Sequence, residues 1–166
     1  VDTGTAISAL TAQLISSSHL GSIVATGGAS GNISFTVAKA VAADAKLSTL
    51  NTVTVADTGT NIAGMTASQV GSSKFDFFDA TDNALNLTYA QYQAIGDIRL
   101  VGADYVTLGD SSLSNASFVS DLGLSTKIDA IRLSSVTLNA SQFVNSAAKL
   151  SALDNIVVSD SVANLT

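Results

Sequence analysis

Apolar residues recur along the chain immediately before a small residue that can cap a helix, at a spacing of about 25 residues. The seven occurrences are Leu10-Thr11, Phe35-Thr36, Met65-Thr66, Leu87-Thr88, Leu113-Ser114, Leu138-Asn139 and Leu165-Thr166. Internal similarity at a period of about 20 to 50 residues is typical of a solenoid, in which each structural unit packs on the next. The pattern therefore predicts a repeat architecture.

Short runs of β-branched and aromatic residues, bounded by Gly, Asp and Asn, predict strands within these repeats. The clearest runs cover residues 53–55, 75–78, 98–101, 131–133 and 156–158. An Asp often follows such a run, and its side chain suits a turn because it can bond the backbone two residues further on. Asp2, Asp57, Asp110 and Asp160 mark this turn at about every second repeat.

Three short sequences match the capping box, in which two side chains satisfy free backbone N–H groups at the start of a helix. They pair Thr66 with Gln69, Thr88 with Gln91 and Asn139 with Gln142. Apolar residues then follow at helical spacing, as at Tyr89, Tyr92 and Ile95. Each repeat is therefore predicted to contain a strand, an Asp turn, a short apolar bridge and a capped helix.

The predicted fold class is an α/β repeat solenoid of about six to seven coils, each of about 25 residues with a short parallel strand and a short capped helix. The alternative is an all-β parallel β-helix. Residues 1–166 are predicted to form a single solenoid segment. Because the sequence opens at an Asp turn and stops at a cap, we expect this segment to be part of a longer repeat array.

The composition narrows the function classes. Hydrophobic residues make up 46% of the chain and charged residues 12%, which excludes a disordered tail. The net charge is −6 and the seven basic residues are scattered, so no nucleic-acid partner is predicted. No apolar run approaches the roughly 18 residues of a membrane span, so no membrane insertion is predicted. Cysteine is absent, which excludes disulfides and thiolate metal sites.

Two motifs could carry chemistry, and both are better explained as turns. Gly109-Asp110-Ser111 resembles the nucleophile block of GDSL-type serine hydrolases. That chemistry needs a histidine to accept the serine proton, and His19, the only histidine, lies in the wrong chain order. The glycine-rich segment 27–31 resembles a phosphate-binding loop but lacks the Lys that should follow. We therefore predict no catalytic residue, no cofactor-binding residue and no enzyme activity.

The densest carboxylates are candidate calcium ligands. The oxygens that a hard cation prefers are supplied by Asp76, Asp79 and Asp82. The spacing of ligands that defines an EF-hand loop is absent. The alternative is a solvated strand edge, at which Asp76 could meet Arg99. Calcium is therefore possible, but no motif predicts it, and no other cofactor is predicted.

The aromatic residues suggest another possible site, a surface that stacks against sugars. Phe77, Phe78, Tyr89, Tyr92 and Tyr105 could stack sugars, but positions that fit a core favour packing.

Two recurring sequence motifs resemble those of a known class of proteins. Val-x-Asp-Thr/Ser-x-x-Asn-Ile/Leu occurs at residues 55–62 and 158–165, and Leu-Thr-x-x-Gln occurs at residues 87–91. Together they resemble repeats in very large secreted bacterial surface proteins, of the adhesin or surface-layer type exported by type I systems. The calcium-binding nonapeptides often found in such proteins are missing here.

The resemblance implies an extracellular structural or adhesive segment on the bacterial cell surface, in an adhesin, a surface layer or a matrix. Its expected partners are further copies, through coil stacking or lateral contact, and cell-surface polysaccharide. One alternative is a self-assembling subunit of an extracellular filament or sheet. A carbohydrate-active solenoid is a further alternative, but the outward strand positions present no paired carboxylates.

Overall fold

The computed structural model describes residues 1–26, 31–110, 119, 122–150 and 155–165. Within these ranges lie ten strands: β1 (Asp2–Thr3), β2 (Ala25–Thr26), β3 (Asn32–Phe35), β4 (Thr52–Asp57), β5 (Phe77–Ala80), β6 (Ala84–Leu87), β7 (Tyr105–Gly109), β8 (Ala130–Arg132), β9 (Ser135–Leu138) and β10 (Asn155–Val158).

The same ranges contain eight α-helices: α1 (Gly4–Ser8), α2 (Ala12–Ser16), α3 (Val37–Ala43), α4 (Gly59–Ala63), α5 (Ala67–Val70), α6 (Tyr89–Ile95), α7 (Ala140–Ser146) and α8 (Val162–Leu165). Three 3₁₀ turns cover Asp44–Lys46, Asp97–Arg99 and Ala147–Lys149. No helix in the described ranges combines the length and the apolar character that crossing a membrane requires.

The strands pair in parallel and form four separate sheets, β1-β2, β3-β4-β5, β6-β7-β8 and β9-β10. In the second sheet Ser34 pairs with Thr54, and Thr54 pairs with Phe77. Parallel neighbours need a crossover connection, and the short helices lie in these connections. The helices also link neighbouring sheets, since α1 packs against β3 and α4 packs against β6.

The core is built from alternate strand residues and from one or two apolar residues of each helix. Successive strand side chains point to opposite faces, so the inward set forms a continuous apolar layer. The buried strand residues include Ile33, Phe35, Val53, Val55, Phe78, Leu85, Leu87, Val106, Leu108, Ile131, Val136 and Leu138. The helices add Ile7, Ile15, Ile62, Val70 and Ile95. Burial of these side chains stabilises helices that are too short to be stable alone.

The predicted capping boxes are confirmed. Thr66 and Gln69 exchange their two hydrogen bonds at 2.8 and 3.2 Å, at the start of α5. The pairs at the start of α6 and α7 form in the same way. The predicted strands at 53–55 and 156–158 are confirmed within β4 and β10.

The predicted α/β solenoid of equivalent coils is wrong, and so is the alternative of an all-β parallel β-helix. The described residues form a small mixed α/β domain with several short parallel sheets and no indicated stack of coils. Five of the seven recurring apolar-polar pairs mark helix N-caps, at Thr11, Thr36, Thr66, Thr88 and Asn139, and the intervals between them are not equivalent units. Ser114 and Thr166 lie outside the described residues. The interval from Thr36 to Thr66 contains α3, β4 and α4, whereas the interval from Thr66 to Thr88 contains α5, β5 and β6.

Turns and local helices account for the remaining differences. The predicted strand at 98–101 is largely the 3₁₀ turn Asp97–Arg99, and the predicted strand at 75–78 begins only at Phe77. The stretch after Asp57, predicted as an apolar bridge, is helix α4, which the Thr58 side chain caps. Asn83, at a positive φ of 53°, lies in the turn that moves the chain from the sheet of β5 to that of β6.

Candidate functional site

Aspartate side chains bind backbone N–H groups that lie 20 to 24 residues earlier in the chain. Asp76 Oδ2 accepts from Val53 N at 2.8 Å, and Asp82 Oδ1 accepts from Gly59 N at 2.8 Å. The same contact is made by Asp57 to Val37 (3.0 Å), Asp104 to Ala80 (3.0 Å), Asp110 to Tyr89 (3.2 Å), Asp129 to Val106 (2.7 Å) and Asp160 to Ala140 (3.0 Å). Several of these amides begin a helix and lack an intrahelical partner, so a carboxylate is a strong acceptor for them.

Lysine and arginine side chains bind backbone carbonyl groups in a complementary way. Lys46 Nζ donates to Ile15 O and Ser17 O at 2.6 and 2.8 Å. Arg99 Nη2 donates to Ser72 O and Phe75 O at 2.8 and 2.6 Å. Lys39 donates to Ser8 O, Lys127 to Leu100 O, and Lys149 to Leu122 O and Ser125 O. These carbonyl groups lie 24 to 31 residues before the cation, so both signs of charge link distant segments of backbone.

The hydrogen bonds shift the pKa of two of these carboxylates. The pKa of Asp160 lies below its ordinary value because the Asn164 side chain and then the Ala140 and Ser161 amides donate to it. At Asp57, burial raises the pKa, but donation by the Asn61 side chain and by two backbone amides outweighs it, and the net pKa lies below 3.8.

We therefore expect the contribution of Asp57 to the stability of the fold to be lost in acid. A carboxylate whose pKa is lowered by folding stabilises the folded state above its unfolded pKa, near 3.8, and this contribution disappears as the pH falls through the folded pKa. For Asp57 the loss is about 1 kcal/mol, since solvent screens the contact. Urea unfolding at pH 7, 5 and 3 measures it. The wild type should lose more stability between pH 7 and pH 3 than the Asp57→Asn variant does, and the same pH dependence in both proteins would contradict the prediction.

The most buried of these carboxylates, that of Asp104, belongs to a residue beside a polar cavity. Asp104 is only 6% exposed, and its Oδ1 has no hydrogen-bond partner among the described residues, although Oδ2 accepts from Ala80 N. The cavity has a volume of about 240 Å³ and is lined by Val101, Gly102, Asp104, Thr126, Lys127 and Asp129. Burial raises the pKa of Asp104, the negative charges of Asp79 and Asp82 raise it further, and the Ala80 amide and Lys127 oppose both effects. The charged form of Asp104 therefore destabilises the fold at neutral pH.

Two substitutions of Asp104 should act in opposite directions. Asn keeps an oxygen for the Ala80 amide but removes the buried charge, so Asp104→Asn should raise the free energy of unfolding at pH 7 by about 1 kcal/mol. Ala leaves the Ala80 amide without an acceptor, so Asp104→Ala should lower it by about 1 to 3 kcal/mol. Urea unfolding of both variants checks the pair. Equal losses in both would contradict a destabilising charge at this position.

The structure does not bring the three predicted calcium ligands together as one site. Asp76 and Asp82 each accept a different backbone amide, whereas Asp79 and Asp82 both act electrostatically on Asp104. In the part of the chain that the structure describes, no three Asp, Glu, His or Cys side chains converge closely enough to hold a metal ion. Calcium binding by Asp76, Asp79 and Asp82 stays a prediction. Asp76 and Arg99 are electrostatically coupled, as the sequence suggested.

Sequence analysis missed Asp104. It stands directly before strand β7, just as Asp76 and Asp129 stand directly before β5 and β8. An Asp directly before a run of β-branched or aromatic residues is the signal that could have found it.

The structure describes only part of the two sequence motifs that could carry chemistry. Gly109 ends β7 and Asp110 accepts the Tyr89 amide, while Ser111 lies outside the described residues. His19 is exposed, with Nδ1 3.4 Å from the Ser17 hydroxyl. In the glycine-rich segment, residues 27–30 also lie outside the described ranges.

The aromatic residues lie in the core, in a surface cleft and elsewhere on the surface. Phe78 is fully buried, whereas Phe77 is 40% exposed and Tyr105 is 57% exposed. Phe77 lines a cleft of about 370 Å³ together with Ser73, Phe75, Asp76, Ile98 and Arg99. Ile98 is 85% exposed there, so the cleft combines accessible apolar side chains with a carboxylate and a guanidinium.

Comparison with protein-family models, with curated proteins and with solved structures finds no match to this chain.

Proposed function

We propose that this chain is a structural or adhesive segment of an extracellular bacterial surface protein and that it is not an enzyme. The observation that carries the proposal is that charged side chains hydrogen-bond to the backbone. Asp57, Asp76, Asp82, Lys46 and Arg99 each bind backbone groups of a distant segment. Acid–base catalysis needs such groups within reach of a substrate proton. Charged side chains that are already bound to the backbone support a structural role rather than a catalytic one.

The extracellular location is part of the same proposal and rests on sequence. The sequence motifs at residues 55–62, 158–165 and 87–91 resemble repeats of secreted bacterial surface proteins.

The cleft beside Phe77 is the surface that suits an adhesive role. Its apolar side chains and its polar groups could contact the two faces of a sugar ring, and sites for small molecules commonly combine such groups. The partner that we propose is cell-surface polysaccharide.

A polysaccharide-retention assay tests the adhesive role and the absence of catalysis together. The immobilised chain is exposed to a panel of bacterial cell-surface polysaccharides, and both retention and release of new reducing ends are measured. We expect saturable retention without release. Phe77→Ala should weaken retention at least tenfold, while Tyr105→Ala, an exposed aromatic residue that does not line the cleft, should leave it unchanged. Reproducible release of reducing ends would contradict the non-enzymatic role, and no retention would contradict the adhesive one.

A specific observation also favours the second candidate function, a self-assembling subunit of a filament or sheet. Among the described strands, β10 is bonded only to β9, and Val157 on it is 50% exposed. An unpaired strand edge can template pairing with another chain. Negative-stain electron microscopy at raised concentration should then show ordered assemblies that Val157→Lys abolishes. Dispersed particles at every concentration would reject this candidate.

A further inference from the structure

Asp76 is one of the two charged residues that line the cleft beside Phe77. Its Oδ2 accepts from Val53 N at 2.8 Å. Its other oxygen, Oδ1, accepts no hydrogen bond from a described residue, and it is not among the buried atoms that lack a partner there, which are Arg99 Nε and Asp104 Oδ1. Asp76 Oδ1 is therefore open to solvent and can accept a hydrogen bond from a ligand.

The other charged residue of the lining, Arg99, has most of its donors bonded to the backbone. Its Nη2 donates to Ser72 O and Phe75 O at 2.8 and 2.6 Å, and its Nη1 donates to Ala94 O at 3.1 Å. Its Nε is closed to solvent. A guanidinium group holds a carboxylate or a sulfate through two parallel N–H donors on different nitrogens. Because neither Nη2 nor Nε offers an N–H group to a ligand, Arg99 cannot hold an anionic group in this way.

The charges of the cleft and of the whole chain disfavour an anionic ligand. An open carboxylate oxygen repels a second carboxylate or a sulfate ester, whereas it accepts strongly from a hydroxyl group. The net charge of the chain is −6, so its field also repels a polyanion at longer range. The ligand that suits this lining therefore carries hydroxyl groups and no negative charge.

The apolar side chains of the cleft suit one face of a sugar ring. Phe77 and Ile98 are both exposed there. The volume of the cleft is about 370 Å³, within the roughly 300 to 1,000 Å³ of sites for small molecules. A pyranose ring carries C–H groups on its faces and hydroxyl groups around its rim. Its C–H face can therefore pack on the Phe77 ring while a hydroxyl group reaches a polar side chain.

We propose that the cleft binds an uncharged sugar residue of a polysaccharide, with one ring face on Phe77 and with a hydroxyl group that donates to Asp76 Oδ1. Arg99 forms part of the wall, where it binds the backbone of Ser72 and Phe75, and it contacts no anionic group of the ligand. This inference rests on the proposed adhesive role and narrows it, because the partner is a neutral polysaccharide rather than an acidic one.

Retention of neutral and acidic polymers by the immobilised full chain tests the inference. The panel of cell-surface polysaccharides is divided into neutral and acidic members, and each retained neutral polymer is compared with its carboxymethylated derivative. We expect retention of neutral members and a loss of about tenfold or more on carboxymethylation. A hydroxyethylated derivative, which adds an uncharged group of similar size, should be retained like its parent. Retention should also change less than about twofold when NaCl is raised, because salt screens only contacts between charges.

The outcomes separate this inference from the adhesive role on which it rests. Retention confined to acidic members, or carboxymethylated polymers retained as tightly as their parents, would overturn the inference and leave the adhesive role standing. Retention of no member of the panel would overturn both. The comparison uses the wild type, so it tests the inference even where a variant folds poorly.

Variants of two aspartates test the hydroxyl contact. Asp76→Asn keeps an oxygen for the Val53 amide but replaces the other carboxylate oxygen with an NH₂ group, so retention of the neutral polymer should fall about tenfold or more. Asp79→Asn removes the same charge from strand β5 at a residue that does not line the cleft, and it should leave retention unchanged. Circular dichroism checks that both variants fold. Equal retention by folded Asp76→Asn and by the wild type would overturn the contact to Asp76.

Discussion

The Gly59→Ala variant should be destabilised by about 3 kcal/mol or more, or should fail to fold. A Cβ atom on Gly59 would lie 1.8 Å from the Ala84 carbonyl oxygen and 2.7 Å from its carbon. Both are backbone atoms at the start of β6, so no side-chain rotation can relieve the overlap. Helix α4 would have to move away from β6, which would also disturb the bond from Gly59 N to Asp82.

Gly21 provides the matched control for this substitution. A Cβ atom there meets no heavy atom within 4 Å, so Gly21→Ala should change the free energy of unfolding by about 0.5 kcal/mol at most. Urea unfolding followed by circular dichroism compares the two variants. Equal stability of Gly59→Ala and Gly21→Ala would contradict the close approach of α4 to β6.

Truncation of Phe78 is expected to cost about 3 to 5 kcal/mol, the range for a fully buried phenylalanine. Its ring is fully buried, stands edge-on to Phe75 with centroids 6.3 Å apart, and lies 5.3 Å from the Arg99 guanidinium carbon. In the β-sheet register Phe78 pairs with Val55 on one side and bridges to Leu100 on the other. The Phe78→Ala variant therefore leaves a cavity at a point where three segments meet.

The neighbouring residue is a control of identical chemistry. Phe77 precedes Phe78 on β5, points to the opposite face and is 40% exposed. Phe77→Ala should therefore cost about 1 kcal/mol or less. Equilibrium unfolding in urea gives both values. A larger loss for Phe77→Ala than for Phe78→Ala would mean that β5 presents its other face to the core.

The sequence predicted the features that depend on neighbouring residues. The capping boxes at Thr66 and Thr88 need only residues three apart, and both form. The strand at 53–55 was visible because its β-branched residues follow a polar turn. Features of this kind are fixed by local chemistry, so a single sequence is enough to find them.

The features that depend on distant residues could not be predicted in the same way. Ile98 was assigned to a strand because it is apolar, yet it lies in a 3₁₀ turn and is 85% exposed. Asp104 gave no sign of burial, because its partner amide lies 24 residues earlier at Ala80. The solenoid prediction failed for a related reason: the spacing of helix caps does not report how many strands lie between them. Tertiary contacts decide these points, and no local pattern encodes them.

Amide hydrogen exchange tests the central claim, that carboxylates hold backbone amides of segments 20 to 24 residues away, most directly. Val53 N donates to Asp76 and Val106 N donates to Asp129, in both cases across 23 residues. Both amides should exchange slowly in the wild type. Asp76→Ala should accelerate exchange at Val53 but not at Val106, and Asp129→Ala should do the reverse. An exchange rate at Val53 that Asp76→Ala leaves unchanged, together with a rate at Val106 that Asp129→Ala leaves unchanged, would contradict the account.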